Sequence, residues 1–255
     1  MIEVQFLGTG AAEGIPAIQC TCEHCRRARL EGGKLRRERS AFILHLPDYK
    51  LLVDTPPNIK NMLRSYDISR IDGIFISHEH YDHAGGIEEF SYWGRSIDLF
   101  LVPQVYKRLT RNRGIQHLNT RMFNLTVHPG MALHFDGFFL VPFAVKHSVP
   151  CFGLAIYQGT TKVVYTSDTS NEFSNYARCL MENADLLIVN TPEFKTSMPD
   201  HITIAEAVQL QQSVGAKRLV LTHFNHHNRP HDELESLVTK WPGVTVAYDG
   251  LKIRA

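Results

Sequence analysis

Short apolar runs, each closed by glycine, proline or polar residues, set the rhythm of this 255-residue chain. Val4-Gln5-Phe6-Leu7 predicts a strand that ends in a Gly8-Thr9-Gly10 loop. Residues 42–44 and 51–53 predict two strands joined at Pro47-Asp48, with Asp54-Thr55-Pro56-Pro57 stopping the second. Residues 71–76 read as a buried strand, and Ala84-Gly85-Gly86-Ile87-Glu88 as a tight turn entering a helix. Residues 99–102 predict a further strand. Helices are expected at about 26–35, at 59–66 and from Pro103.

The second half is richer in strands, expected at 132–135, 138–145, 152–157, 163–166, 186–189, 218–221 and 244–247. Helices near 173–181, 204–213 and 232–239 interleave with the later ones. No short-period repeat and no Pro/Gly-rich linker divides the chain. The pattern predicts an α/β fold (α+β in some schemes): one domain over 1–255, two packed sheets with helices outside.

Chemistry concentrates in Ser77-His78-Glu79-His80-Tyr81-Asp82-His83, directly after an apolar run. Three imidazoles and an aspartate within six residues are too many polar groups for core filler, since each would need a buried partner. They read as metal ligands on a loop at a strand's C-terminal end. Three more polar residues follow β-like runs in the same way: His147, Asp168 and His223. Five histidines and two aspartates suffice for two divalent ions, because a carboxylate has two oxygens and can bridge. Counting ligands assigns His78, His80 and His147 to one ion, and Asp82, His83 and His223 to the other, with Asp168 between them. Imidazole-rich ligation favours zinc, with manganese and iron compatible.

Composition acts by exclusion. Twenty-seven basic against 26 acidic side chains give net +1, so no global field points to nucleic acid or membrane. The basic concentration from Arg26 to Arg39 reads as a solvated helix face. No apolar stretch approaches the roughly 18 residues needed to span a membrane, and a cytoplasmic protein is expected. Five cysteines do not suggest a disulfide framework. Cys20, Cys22 and Cys25 instead crowd one short loop and suit one soft cation. Its fourth ligand is either the adjacent His24 or a remote histidine, His226 or His227.

The motif His78-Glu79-His80-Tyr81-Asp82-His83, with His147, Asp168 and His223 downstream, resembles the HxHxDH signature of the metallo-β-lactamase superfamily. That resemblance implies a four-layer αββα sandwich with a dinuclear site along one edge. β-Lactamases of that superfamily commonly carry cysteine where this chain has Asp168, so antibiotic hydrolysis is not expected. The cysteine segment narrows the resemblance to the PhnP family of phosphoribosyl cyclic phosphodiesterases. It implies a structural zinc on Cys20, Cys22, Cys25 and His226, in a loop insertion at about 16–36. It also implies a leaving-group role for His201, in Pro199-Asp200-His201-Ile202-Thr203.

The implied reaction is metal-assisted hydrolysis of a small phosphorylated sugar or nucleotide, such as phosphoribosyl 1,2-cyclic phosphate or a 2',3'-cyclic nucleotide, and the implied assembly is a homodimer. Asp54 is expected either to bond the free nitrogen of a metal histidine or to cap the Pro56-Pro57 turn. Asp54-Thr55-Pro56-Pro57 and Asn190-Thr191-Pro192-Glu193 depart from the PhnP pattern beside the expected site. PqqB-like proteins of quinone cofactor biosynthesis share a CxCxxC segment and form the second reading. A tRNA-processing nuclease would need a long basic extension, and glyoxalase-type thioester hydrolysis gives no reason for the cysteines. Diiron electron transfer would need a flavin-bearing partner or domain.

Overall fold

A computed structural model of the chain describes residues 1–92, 96–112, 122–195 and 198–255. The first strands are β1 (Glu3–Gly8), β2 (Ala41–Leu46), β3 (Tyr49–Val53), β4 (Gly73–Phe75), β5 (Ile97–Leu101) and β6 (Met122–Thr126). The later ones are β7 (Leu133–Phe135), β8 (Phe138–Val145), β9 (Cys151–Gln158), β10 (Thr161–Tyr165), β11 (Leu186–Asn190), β12 (Leu219–Thr222) and β13 (Val244–Val246). A last strand, β14 (Lys252–Arg254), returns to pair with β1. Two mixed sheets result, ordered β14-β1-β2-β3-β4-β5-β6 and β13-β12-β11-β10-β9-β8-β7. Helices are α1 (Glu23–Glu31), α2 (Ile59–Ser65), α3 (Tyr81–Ala84), α4 (Pro103–Asn112), α5 (Asn175–Met181), α6 (Ile204–Val214) and α7 (His231–Val238).

The period-2 alternation of the second sheet explains the layers. Val163 and Tyr165 of β10, Leu186 and Ile188 of β11, and Val220 of β12 face the first sheet and join its core. Their neighbours Val164, Leu187, Val189, Leu219 and Leu221 face outward, where Ala177, Met181, Ala207, Val208 and Leu234 of the helices cover them. Strands buried on both faces therefore read as continuous apolar runs. Ile59, Met62 and Leu63 of α2 and Val105 and Leu109 of α4 pack on the first sheet. This is the expected four-layer sandwich. No helix among the described residues is long and apolar enough to cross a membrane.

Two local expectations need correction. The first helix runs Glu23–Glu31 rather than 26–35: Cys22 caps it through its sulfur, and Gly32, at φ 66°, ends it before a short 3₁₀ turn at Gly33–Leu35. Helix α3 begins inside the histidine motif, and the turn at Gly85-Gly86 leads into a 3₁₀ segment, Ile87–Tyr92. Strands β6 and β14 had no expectation. Both lie at a sheet edge and expose most of their side chains, so neither shows the alternation of apolar and polar positions that marks a half-buried strand.

Candidate dinuclear metal centre

The exits of β3, β4, β8, β10, β11 and β12 build one edge. Strands β3, β4 and β5 run parallel, with Val53 opposite Phe75, as do β10, β11 and β12, with Tyr165 opposite Ile188 and Asn190 opposite Thr222. Parallel strands in register finish at one level, so the residues that follow them meet. Asp54, Ser167 and His223 take positive φ values of 64°, 56° and 62°. Such non-glycine residues cost on the order of 1–3 kcal/mol each, and here they turn the chain sharply off β3, β10 and β12. The His80–Ala84 segment is tied down by Thr55 N–H to the His83 carbonyl (2.6 Å) and by Gly86 N–H to the Thr55 carbonyl (2.8 Å). A Cβ at Gly86 would collide with the Pro56 carbonyl, so the close approach requires glycine there.

Donor atoms gather in two groups. His78 Nε2 lies 3.0 Å from His80 Nδ1, which lies 3.2 Å from His147 Nε2. His223 Nε2 lies 3.1 Å from His83 Nε2 and 3.3 Å from Asp82 Oδ2. Asp168 stands between the groups. Its Oδ2 is 3.8 Å from His78, 3.5 Å from His83 and 3.9 Å from His147, and its Oδ1 is 3.5 Å from His223. Metal–nitrogen bonds of 2.0–2.1 Å in tetrahedral geometry put neighbouring donors about 3.3 Å apart. Facing imidazole lone pairs at that spacing repel each other without a cation, so the donor set fits two divalent ions.

The other ring nitrogens set the orientation. His83 Nδ1–H donates to Asp54 Oδ2 at 2.7 Å, and His147 Nδ1–H to the Asp200 carbonyl at 3.0 Å. His78 Nδ1–H meets Ser77 Oγ at 3.0 Å, and that hydroxyl donates to Asp54 at 2.9 Å. Each arrangement leaves Nε2 with its lone pair toward the centre. Of the two expectations for Asp54, the structure gives the histidine contact: its Oδ1 accepts from Ser77 N–H, and Tyr165 OH approaches its Oδ2 at 3.3 Å. Asn190 donates to Asp168 Oδ1 at 2.6 Å. Ser77, Tyr165 and the Asn190 contact were not read from the sequence. For Asn190 the only signal was its place in a segment that departs from the PhnP pattern.

Electrostatics separate the groups. Burial would raise Asp168, but His223 and His83 outweigh it and hold its carboxyl well below the ordinary range. Burial likewise opposes charge on His83, yet Asp82, Asp168 and Asp54 raise it well above the usual imidazole value. His78 falls well below it through burial and the neighbouring His83.

The edge opens into a cleft of about 210 Å³. His201 lines it beside His80, Asp82, Asp168 and His223, its ring centroid 5.2 Å from that of His147. Its Nδ1 is buried and has no hydrogen-bond partner among the described residues. Burial lowers its pKa, so the ring is neutral at pH 7.

A family model described as "Beta-lactamase superfamily domain" matches residues 49–224, more than half of the chain. The chain belongs to the metallo-β-lactamase superfamily. That superfamily is one of metal-dependent hydrolases. An octanoyltransferase of Porphyromonas gingivalis is 25% identical over 257 residues, covering 97% of this chain and 50% of that protein, so the chain spans half of that relative's length. A solved diphosphatase of the PhnP family shares the fold with a TM-score of 0.86 at 23% identity, over 100% of this chain and 98% of that one. Zinc-bound PqqB from Methylobacterium extorquens has a TM-score of 0.86 at 18% identity, over 99% and 100%.

Beside the superfamily site, the chain brings Cys20, Cys22, Cys25 and His226 together. His226 Nδ1 lies 3.2 Å from Cys20 Sγ and 3.7 Å from Cys22 Sγ, bracketing the roughly 3.5 Å between S and N donors on a tetrahedral zinc. Burial pushes the Cys25 thiol up to about 12, so its thiolate form depends on a cation. The alternative ligand His24 turns away: its Nδ1 meets the Asn228 carbonyl at 3.2 Å. Cys22→Ser is expected to lower the melting temperature of metal-loaded protein by roughly 5–10 °C and to remove one equivalent of zinc by elemental analysis. Unchanged melting and metal content would rule out an ion there.

Proposed function

We propose that this chain is a dinuclear metal-dependent phosphodiesterase that hydrolyses small cyclic phosphodiesters, phosphoribosyl 1,2-cyclic phosphate or 2',3'-cyclic nucleotides. The observation that carries the proposal is Asp168, whose carboxylate lies within reach of both histidine groups at the floor of one cleft. The aspartate bridge and the likeness to a PhnP-family diphosphatase together favour phosphoryl chemistry.

The chemistry supplied by two bound divalent ions is Lewis acidity toward a phosphate oxygen and activation of water at neutral pH. The chain's own residues do the positioning. Asp168 stays ionised, and Asn190 fixes the rotation of its carboxylate. Asp54 and Ser77 hold His83 and His78 in the tautomers that present Nε2. Neutral His201 has an N–H to donate to the departing ribose oxygen.

His201→Gln is expected to reduce kcat by about 10²-fold, with a smaller change in KM and no change in metal content. A kcat within a few-fold of the parent would remove His201 from the chemistry. The activity itself is tested by incubating metal-loaded protein with the two cyclic phosphates, linear diesters, a thioester and a β-lactam, following products by phosphorus NMR. Ring opening to a single monoester supports the proposal. No phosphodiester cleavage under zinc, manganese or iron overturns it and moves the assignment to the PqqB-like branch, whose fold likeness is equally close.

A further inference from the structure

Two acidic side chains, Glu13 and Glu193, line the same cleft, and the chemistry above uses neither. Glu13 follows β1, and Glu193 follows β11. Both loops are clasped by the segment after His223. Ala11 N–H donates to the Phe224 carbonyl at 2.9 Å, and Asn225 N–H to the Pro192 carbonyl at 3.2 Å. The next bonds reach the carboxylates themselves. Asn225 Nδ2 donates to Glu193 Oε1 at 2.5 Å, and His226 N–H to Glu13 Oε1 at 3.3 Å. Consecutive residues thus orient the two acids, and each keeps its second oxygen without a protein partner among the described residues.

An oriented carboxylate only accepts hydrogen bonds and repels another anion. Resting on the phosphodiesterase reading, we infer that Glu13 and Glu193 select the part of the substrate that is not attacked, favouring an uncharged, hydrogen-bond-donating moiety over one that carries a second phosphate. Sugar hydroxyls and the amino group of a base share that chemistry. Of the two substrates proposed above, this favours the nucleoside 2',3'-cyclic phosphate; phosphoribosyl 1,2-cyclic phosphate, which carries a second phosphate on its ribose, is disfavoured, as is the nucleotide bearing a 5'-phosphate.

The test compares metal-loaded full-length protein with Glu13→Gln and Glu193→Gln, near-isosteric changes whose folding is checked by thermal melting. Calorimetric titration measures binding of a nucleoside 3'-monophosphate and of the 3',5'-bisphosphate. Kinetics use the 2',3'-cyclic phosphate with and without a 5'-phosphate. The parent protein is expected to prefer the ligand lacking the second phosphate by on the order of tenfold, and each glutamine variant to erase most of that preference. The shift is read in Kd and KM. An abasic riboside cyclic phosphate separates the two sources: a preference retained there assigns the contact to sugar hydroxyls, and one lost assigns it to the base. Equal or tighter binding of the bisphosphate, a preference unchanged in both variants, or binding of neither nucleotide would overturn the inference. The binding preference without turnover would overturn only the hydrolytic reading, and turnover without the preference would overturn only the selection by Glu13 and Glu193.

Discussion

Asp168→Ala is expected to reduce the proposed phosphodiester turnover by about 10³-fold or more and to leave the protein short of at least one of the two proposed active-site ions. The side chain is 2% exposed, and its two oxygens approach four of the five histidines at the site. Alanine removes the group that joins the two donor sets, and it strips His83 of one of the three carboxylates that raise its pKa. Asn190 Nδ2 also loses its 2.6 Å acceptor in a buried position. Turnover and metal content should therefore fall together. Full activity with two ions retained would mean that Asp168 does not bridge.

Asp54→Ala should act one step further from the ions and hit the fold harder. Asp54 is 1% exposed and receives Ser77 N–H, Ser77 Oγ–H and His83 Nδ1–H. Removing one partner of a buried charged pair costs about 3–5 kcal/mol, and losing the carboxylate behind a metal histidine typically costs 10–100-fold in metal affinity. Urea unfolding of metal-free protein checks the first figure, and competition against a chelating dye checks the second. Asp54→Asn keeps an acceptor for the ring N–H, so its loss should be smaller in both assays. If Asp54→Ala destabilises the protein but leaves metal affinity intact, the residue acts only on the turn and not on His83.

The seven candidate dinuclear ligands were legible because each follows an apolar run, and parallel strands in register bring such positions to one edge whatever lies between them. Of the groups that orient those ligands, Asp54 was foreseen as one of two alternatives, and the others were not. Ser77, Tyr165 and Asn190 are ordinary strand-end residues, and nothing local distinguishes a serine that relays between Asp54 and His78 from one facing water. The fourth residue at the cysteine cluster shows a related limit. His24 is near in sequence, but α1 carries it toward Asn228, and only the fold brings His226 to the sulfurs. The cysteines also misled the helix boundary, since a cysteine is not a usual helix cap, yet Cys22 performs that role. Strands β6 and β14 show that an edge strand recruited by its neighbour's open hydrogen bonds need not carry an apolar pattern.

The cysteine cluster also shapes how the chain must be handled while it is being made. Its histidine lies about 200 positions after its sulfurs, so a chain emerging from the ribosome presents three reduced thiols long before the residue that completes the set exists. Cys22 and Cys25 stand three positions apart, close enough to join as a disulfide. An oxidant arriving in that interval links the two into a disulfide and withdraws them from zinc. Preparations made without reductant or without zinc should then hold a mixture of redox forms, and the fraction carrying a third ion would record the history of the sample rather than the affinity of the site.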